Sequence, residues 1–491
     1  MASVHLRAGH CGGSTRGRRV VLAVGILASL STSMAFVDAL DPYCQAPLEV
    51  GTGTGGAGTS LAMAIIIARH GDRTPANLLP DEGAISWNGC GVGRTDTMLL
   101  DGSKTAFSGF SYSPAPLSSP YAKGMWQGDC ADGQLTAKGA AQHSALGASM
   151  RARWIDSFSL IPAIPEAALV SLRSTDVART RESAERMLAS FLPRGIAGGA
   201  AMPLTRRPFA VENMLSNPQK CPRFQERWNE LTSSPLWISR EKQRAPLRKT
   251  LDDILGTSHI AGWGTNPSID HYFDALHCRS CHAKTLPCAT KGGACVSEGM
   301  AKSIFAEGDW EYATLFSDEE LTRLSVGSFV YELWKDVEAA SYGKSPYKLG
   351  VRLAHDTTIS PLLGALGAPA KYWVPYASHI EIELWLDASN RSASQILFFF
   401  NGASLNLPKC TGKRVGGGEE VGYYCSLDEF AAIAAPGEPV AFETACKAKK
   451  DTQSSRSGFF NSVTVPGMTQ LSWMLVGAAL AVGVMWVGRI R

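Results

Sequence analysis

Three short, largely apolar stretches of this chain each stop at charged residues. Residues 64–68 (AIIIA) end at Arg69-His70-Gly71-Asp72-Arg73-Thr74-Pro75. Residues 167–172 (AALVSL) end at Arg173-Ser174-Thr175-Asp176, and residues 349–354 (LGVRLA) at His355-Asp356. A continuous apolar run of this length suits a strand buried on both faces of a parallel sheet. The second run is followed by an amphipathic helical pattern over 177–192, with Val177, Met187, Leu188, Phe191 and Leu192 as its apolar members. The third leads into another, carrying Leu362, Leu363 and Leu366. This rhythm predicts an α/β fold, with a mostly parallel central sheet flanked by helices.

Two apolar segments near the ends read differently. Residues 20–30 follow Arg16, Arg18 and Arg19 and precede small residues around Ala35, which predicts a signal peptide over 1–35. Residues 471–488 carry no charge, hold Trp473 and Trp486 near their ends and are followed by Arg489 and Arg491. They predict a single transmembrane helix with a juxtamembrane stalk over 451–470 and a cytoplasmic tail over 489–491. A lipid anchor attached near 454–458 is the rival reading and stays open. Either way the chain is expected in the secretory pathway, as a type I membrane protein facing the lumen or the exterior. Cell surface and endosomal or lysosomal compartments both remain open.

Charge and cysteine content narrow the class. A net charge of +3 argues against a nucleic-acid binder that works through bulk charge. Of the twelve cysteines, Cys11 falls in the signal region, and the odd remainder predicts disulfides plus at least one free or intermolecular thiol. Asn390-Arg391-Ser392 is an N-glycosylation sequon. Cys278-Arg279-Ser280-Cys281-His282 has the CxxCH haem pattern, and His277, Cys288 and Cys295 add a zinc reading. In a luminal domain disulfides are the expectation instead. Gly51-Thr52-Gly53-Thr54-Gly55-Gly56 precedes the first strand, so it fails as a dinucleotide motif and reads as part of a flexible segment over 36–60. His143, in the helical stretch after Gly139, reads as structural. No HExxH, P-loop or dense carboxylate cluster occurs, and neither metal nor cofactor is expected.

In open α/β sheets, ligands bind outside the carboxyl ends of the strands. Three such ends deliver arginines, histidines and an aspartate here. Arginine offers a planar fork of donors matched to phosphate oxygens, so Arg69, Arg73 and Arg173 are candidates to surround a phosphoryl group. A neutral imidazole at His70 is a candidate nucleophile. The leaving alkoxide needs a proton, for which Asp356 and Asp72 are available. Asp356 comes from a separate strand end and suits the leaving-group side. Asp72, two residues from His70, reads as a loop-structuring carboxylate.

Residues 69–75 resemble the RHGxRxP motif of the histidine acid phosphatases. Gly133-Gln134-Leu135-Thr136 with Gly139 and Gln142 is similar to that family's GQLTxxGxxQ. Arg173-Ser174-Thr175-Asp176 with Arg179-Thr180 is similar to RSTDxxRT, Cys221-Pro222-Arg223-Phe224 to CPRF, and Ala354-His355-Asp356-Thr357-Thr358 to AHDTT. The match runs in order from about residue 61 to 446. The resemblance implies His70 as the phosphorylated nucleophile, Asp356 as proton donor, and Arg69, Arg73, Arg173 and His355 as the phosphoryl-binding set. It implies metal-independent hydrolysis of phosphate monoesters at acid pH. It also implies a catalytic core over 61–205 and 321–450 with a mainly helical cap over 206–320. By analogy Cys221 would pair with Cys446 and Cys410 with Cys425. Pro375-Tyr376-Ala377-Ser378 lacks a cysteine found there in prostatic- and lysosomal-type members, so the cap disulfides are expected to be rewired. Arginines beside His70 are expected to lower its pKa, and burial to raise that of Asp356. A mutase-type transferase is the nearest rival within enzymes. A phytase-like or lysophosphatidic acid phosphatase-like specificity, a catalytically silent surface receptor, and a homodimer all stay open.

Overall fold

The computed structural model describes residues 42–448, apart from 84, 91–95, 99–103, 109–125, 200, 261–262, 264–267, 290–292 and 417–418. The expected signal peptide, stalk and apolar run 471–488 lie outside the described residues. Among the described residues no helix is long and apolar enough to cross a membrane.

A seven-stranded sheet organises the chain. Its strands are β1 (Thr59–Arg69), β2 (Val170–Ser174), β3 (Leu204–Thr205), β4 (Leu349–Ala354), β5 (His379–Asp387), β6 (Gln395–Phe400) and β7 (Ala403–Ser404). They lie in the order β7-β6-β5-β1-β4-β2-β3. Pairings from β1 through β4 and β2 to β3 are parallel. Those from β1 through β5 and β6 to β7 are antiparallel. The sheet is therefore mixed, not mostly parallel. The difference arises in β5, whose sequence HIEIELWLD alternates polar and apolar residues. Such alternation normally marks a wet face, yet His379, Glu381 and Glu383 are fully buried. Arg153 makes this tenable for Glu383, with Nε and Nη2 each 2.6 Å from its carboxylate.

Helices cover both faces. The ones used below are α1 (Ala137–Met150), α2 (Ala178–Phe191), α3 (Pro222–Thr232), α4 (Pro235–Leu255), α5 (Asp270–Cys281), α6 (Glu298–Phe316), α7 (Glu319–Ser341) and α8 (Asp356–Ala365). The unbroken apolar run of β1 is divided between faces by the period of two. Met63, Ile65 and Ile67 pack with Phe329 and Leu333 of α7 and Leu362 of α8. Ala64, Ile66 and Ala68 pack with Leu146 and Met150 of α1 and Met187 and Leu188 of α2. A further apolar cluster joins Leu251, Phe273, Leu276 and Ile304 of the 222–316 helices to Tyr43, Trp373 and Tyr376.

Disulfides join Cys44 to Cys281, Cys90 to Cys130, Cys221 to Cys446, Cys288 to Cys295 and Cys410 to Cys425. The Cys221–Cys446 and Cys410–Cys425 pairs are those expected by analogy. The Cys44–Cys281 pair ties the last residue of α5 to the segment before β1. Cys278 is the free cysteine among the described residues, and it is buried. The CxxCH pattern is thus divided: Cys281 is tied to Cys44, and the imidazole of His282 meets Asp72.

Candidate active site

His70 follows β1 directly, where the chain leaves the sheet between β4 and the turn before β5. Its N–H donates to Ala354 O at 3.0 Å, and its carbonyl accepts from Ala377 N at 3.1 Å. The next residue must be small: a Cβ on Gly71 would lie 2.4 Å from Gly139 O. A Cβ on Gly139 would in turn lie 2.2 Å from Asp72 O. The motif glycines thus let α1 seat its first turn against the loop after β1. Asp72 secures that contact. Its carboxylate accepts from Thr136 Oγ1 at 2.5 Å and meets His282 Nε2 at 2.5 Å, while its N–H donates to Gln142 Oε1. It is the loop-structuring carboxylate expected from sequence. His143 is likewise internal, with Nε2 3.0 Å from Arg69 O.

The tautomer of His70 follows from its neighbour. Nδ1 lies 2.8 Å from the Gly71 carbonyl, which can only accept, so Nδ1 carries the proton. Nε2 is left with its lone pair. Burial holds the pKa of His70 well below the ordinary value, and Arg179, Arg69, His355 and Arg73 lower it further. The imidazole is therefore neutral in mildly acid solution, as a nucleophile requires. The His355 ring stands 5.4 Å from that of His70, with Nε2 2.9 Å from Thr175 Oγ1. It is buried and also held neutral, chiefly by desolvation and then by Arg179.

Arg69 is fully buried between the rings of Tyr43 and Tyr376. It donates to Val374 O and to the Tyr43 hydroxyl, and its Nη2 lies 2.9 Å from Asp356 Oδ2. Arg73 pairs with Asp274 of α5 at 2.6 Å. The Nε atoms of Arg69 and Arg73 are buried without a protein acceptor. Buried donors left in this state are costly unless an anion or water takes them.

A sequence model of the histidine phosphatase superfamily (branch 2) matches residues 60–253. Counting factor 60 of Dictyostelium discoideum is 30% identical over 395 residues, covering 79% of this chain and 88% of that protein. The chain belongs to the histidine phosphatase superfamily, branch 2. This histidine phosphatase is also similar to the prostatic acid phosphatase of Rattus norvegicus, 28% identical over 341 residues, covering 66% of this chain and 82% of the relative. Among solved structures it resembles Hafnia alvei phytase in complex with tartrate, with a TM-score of 0.51 and 15% identity, over 80% of this chain and 100% of that one. The last likeness concerns fold alone.

Within this histidine phosphatase the structure brings His70, Arg69, Arg73, His355 and Asp356 together, but not Arg173. The Arg173 guanidinium donates to Glu332 at 2.9 Å, to Asn213 at 2.7 Å and to Glu212. Those carboxylates already neutralise it, and it is absent from the charges acting most on His70 or His355. Of Arg173 and Arg179, the one whose charge acts on those imidazoles is Arg179. It lies in the first turn of α2, where side chains lean back toward the helix N-terminus and so toward the end of β2. It is the largest charge acting on both imidazoles. Burial and the nearby Arg73 push its own pKa down to about 10. The sequence signal was present: a second arginine in RSTDxxRT, at a helix start facing an anion-binding crevice.

The expected rise in the pKa of Asp356 is also corrected. Burial pushes the carboxyl up, but Arg69, a hydrogen bond from Trp373, Arg73 and His355 together hold it below the usual carboxylate range. Tyr43, Asp274 and Trp373, absent from the sequence reading, complete the site's contacts. Arg69, Arg73 and Arg179 face Asp356 and Asp274, so the cluster carries one excess positive charge.

Proposed function

We propose that this histidine phosphatase hydrolyses phosphate monoesters through a phosphohistidine at His70. The observation that carries the reading is the Nδ1–Gly71 carbonyl contact of 2.8 Å, which leaves Nε2 as the lone-pair atom in a cationic pocket. Nε2 attacks phosphorus, the ester P–O bond breaks, and Asp356 gives its proton to the departing oxygen. Water then attacks the phosphohistidine, Asp356 takes the water's proton, and inorganic phosphate leaves. Arg69, Arg73, Arg179 and His355 hold the phosphoryl oxygens through both steps.

Asp356 is ionised in the free enzyme, so its proton must arrive with the substrate. A phosphate monoester has its second pKa near ~6. At about pH 5 the ester is a monoanion, and transfer of its proton to Asp356 on binding gives a protonated acid beside a bound dianion. The acid optimum follows from this transfer. Residues 206–320 act as the helical cap over residues 61–205 and 321–450, the enzyme works in an oxidising compartment, a reading supported by the five disulfides among the described residues, and residues 471–488 anchor it to a membrane.

The test is an alkaline detergent quench of enzyme mixed at about pH 5 with an aryl phosphate radiolabelled at phosphorus, with a chelator present. Label bound to wild type, labile in acid and stable in base, is the expected result, with none on His70→Ala. Turnover by His70→Ala at the wild-type rate would remove His70 as nucleophile.

A further inference from the structure

Trp373 lies between α8 and β5, two residues before Pro375-Tyr376-Ala377-Ser378. Its ring is clamped on both faces by the helical region. Phe273 of α5 stacks at 4.0 Å and 11°, and Tyr312 of α6 at 3.7 Å and 18°. Its backbone N–H is also held, donating to Asp309 Oδ1 of α6 at 2.9 Å. The indole has one polar atom, and it points back across the crevice: Nε1 donates to Asp356 Oδ2 at 2.7 Å.

An indole N–H only donates. The oxygen that it meets must therefore offer a lone pair. Arg69 Nη2 lies 2.9 Å from the same Oδ2, so two donors converge there. The other oxygen, Oδ1, accepts the N–H of Thr357, at 2.7 Å within its own helix turn, and no second donor among the described residues. A proton arriving on this carboxylate therefore settles on Oδ1, while Oδ2 remains the acceptor. We infer that Trp373 is a positioning residue for the general acid: it selects Oδ1 as the proton-bearing oxygen and ties Asp356 to α5 and α6. This rests on Asp356 being the acid.

The groups facing Asp356 are Arg69 from β1, Arg73 from the loop after it, Arg179 from α2, the adjacent His355, Tyr43 and Tyr312. Of these, the two tyrosines are held neutral by burial, and His355 is neutral at mildly acid pH. The arginines stay charged throughout the range assayed. None of these groups changes charge across pH 4–8, so a limb that moves in Trp373→Phe is traced to the indole donor.

The experiment compares wild type, Trp373→Phe and Asp356→Asn on an alkyl phosphate and on a p-nitrophenyl ester, following the phosphorylation burst that releases the leaving group, at saturating substrate across pH 4–8. Trp373→Phe keeps a stacking ring and deletes the donor. Its burst rate on the alkyl ester is expected to fall about tenfold, and the alkaline limb of that rate to move up by about one pH unit, because the lost hydrogen bond favoured the ionised acid. Its rate on the p-nitrophenyl ester, whose leaving group needs little protonation, stays within about twofold. If Asp356→Asn slows both esters equally, the general-acid reading fails and this inference fails with it. If Asp356→Asn discriminates between the esters while Trp373→Phe keeps the wild-type ratio and limb, only this inference is overturned. Should Trp373→Phe fold poorly, β-(3-benzothienyl)alanine at position 373, matched in shape but lacking the N–H, must give the same limb shift or the inference falls.

Discussion

Asp274 meets Arg73 at 2.6 Å, so a carboxylate on α5 restrains a guanidinium from the loop that carries His70. Its other oxygen accepts from Ala76 N at 2.7 Å and Asn77 N at 3.3 Å, so one side chain sets both the charge and the path of that loop. Asp274→Asn should keep much of the loop's hydrogen bonding and lose the ion pair. Removing one partner of a buried pair costs about 3–5 kcal/mol. The variant should therefore melt lower than wild type. Inorganic phosphate should raise its melting temperature by more than it raises that of wild type, because an anion can take the vacated place beside Arg73. Thermal melts with and without phosphate check this, and equal shifts in both proteins would contradict it.

Arg173 and Arg179 stand six residues apart in the chain and have different partners. Arg179→Ala should lower kcat/KM by about a hundredfold or more, the scale of losing one preorganised donor to transition-state charge, and weaken phosphate inhibition in parallel. Arg173→Ala should instead strand the buried carboxylate of Glu212 and lower stability by about 3–5 kcal/mol, with a smaller effect on turnover per folded molecule. Steady-state kinetics paired with denaturant unfolding separate the two. A larger catalytic loss in Arg173→Ala would return that residue to the site.

The pH dependence has a definite sign. His70 is held well below its ordinary pKa and Asp356 below the carboxylate range, so at about pH 5 both are unprotonated in the free enzyme. The productive proton is then the ester's own, and kcat/KM should fall as pH rises past the ester's second pKa, near ~6. Esters whose second pKa differs by one unit should move this limb by the same amount. A limb at one fixed pH for all esters would assign it to a group of the protein.

Two-sided burial was legible in the sequence. The run 64–68 is too apolar for a strand with a wet face, and its abrupt end at Arg69-His70 marks the carboxyl edge where a ligand belongs. Gly71 and Gly139 were legible as motif members, although only the 2.4 Å and 2.2 Å approaches show why neither tolerates a side chain. The helices that follow β2 and β4 were equally local, each succeeding its strand within a few residues.

What the tertiary structure alone decided is where each charge finds its partner. Arg173 looks equivalent to Arg69 in sequence, since both close a strand, but Glu212 and Glu332 arrive from elsewhere in the chain and claim it. Glu381 and Glu383 alternate with apolar residues along β5, yet both are buried, and Arg153 makes the burial of Glu383 tenable. Tyr43, Asp274 and Trp373 reach the site from the N-terminal segment, a distant helix and a loop, and no local pattern marks them. Periodicity and motifs report on a residue's own element, because burial repeats with the geometry of that element. Charge pairing depends on distances between elements, and those are set only when the sheet and helices pack.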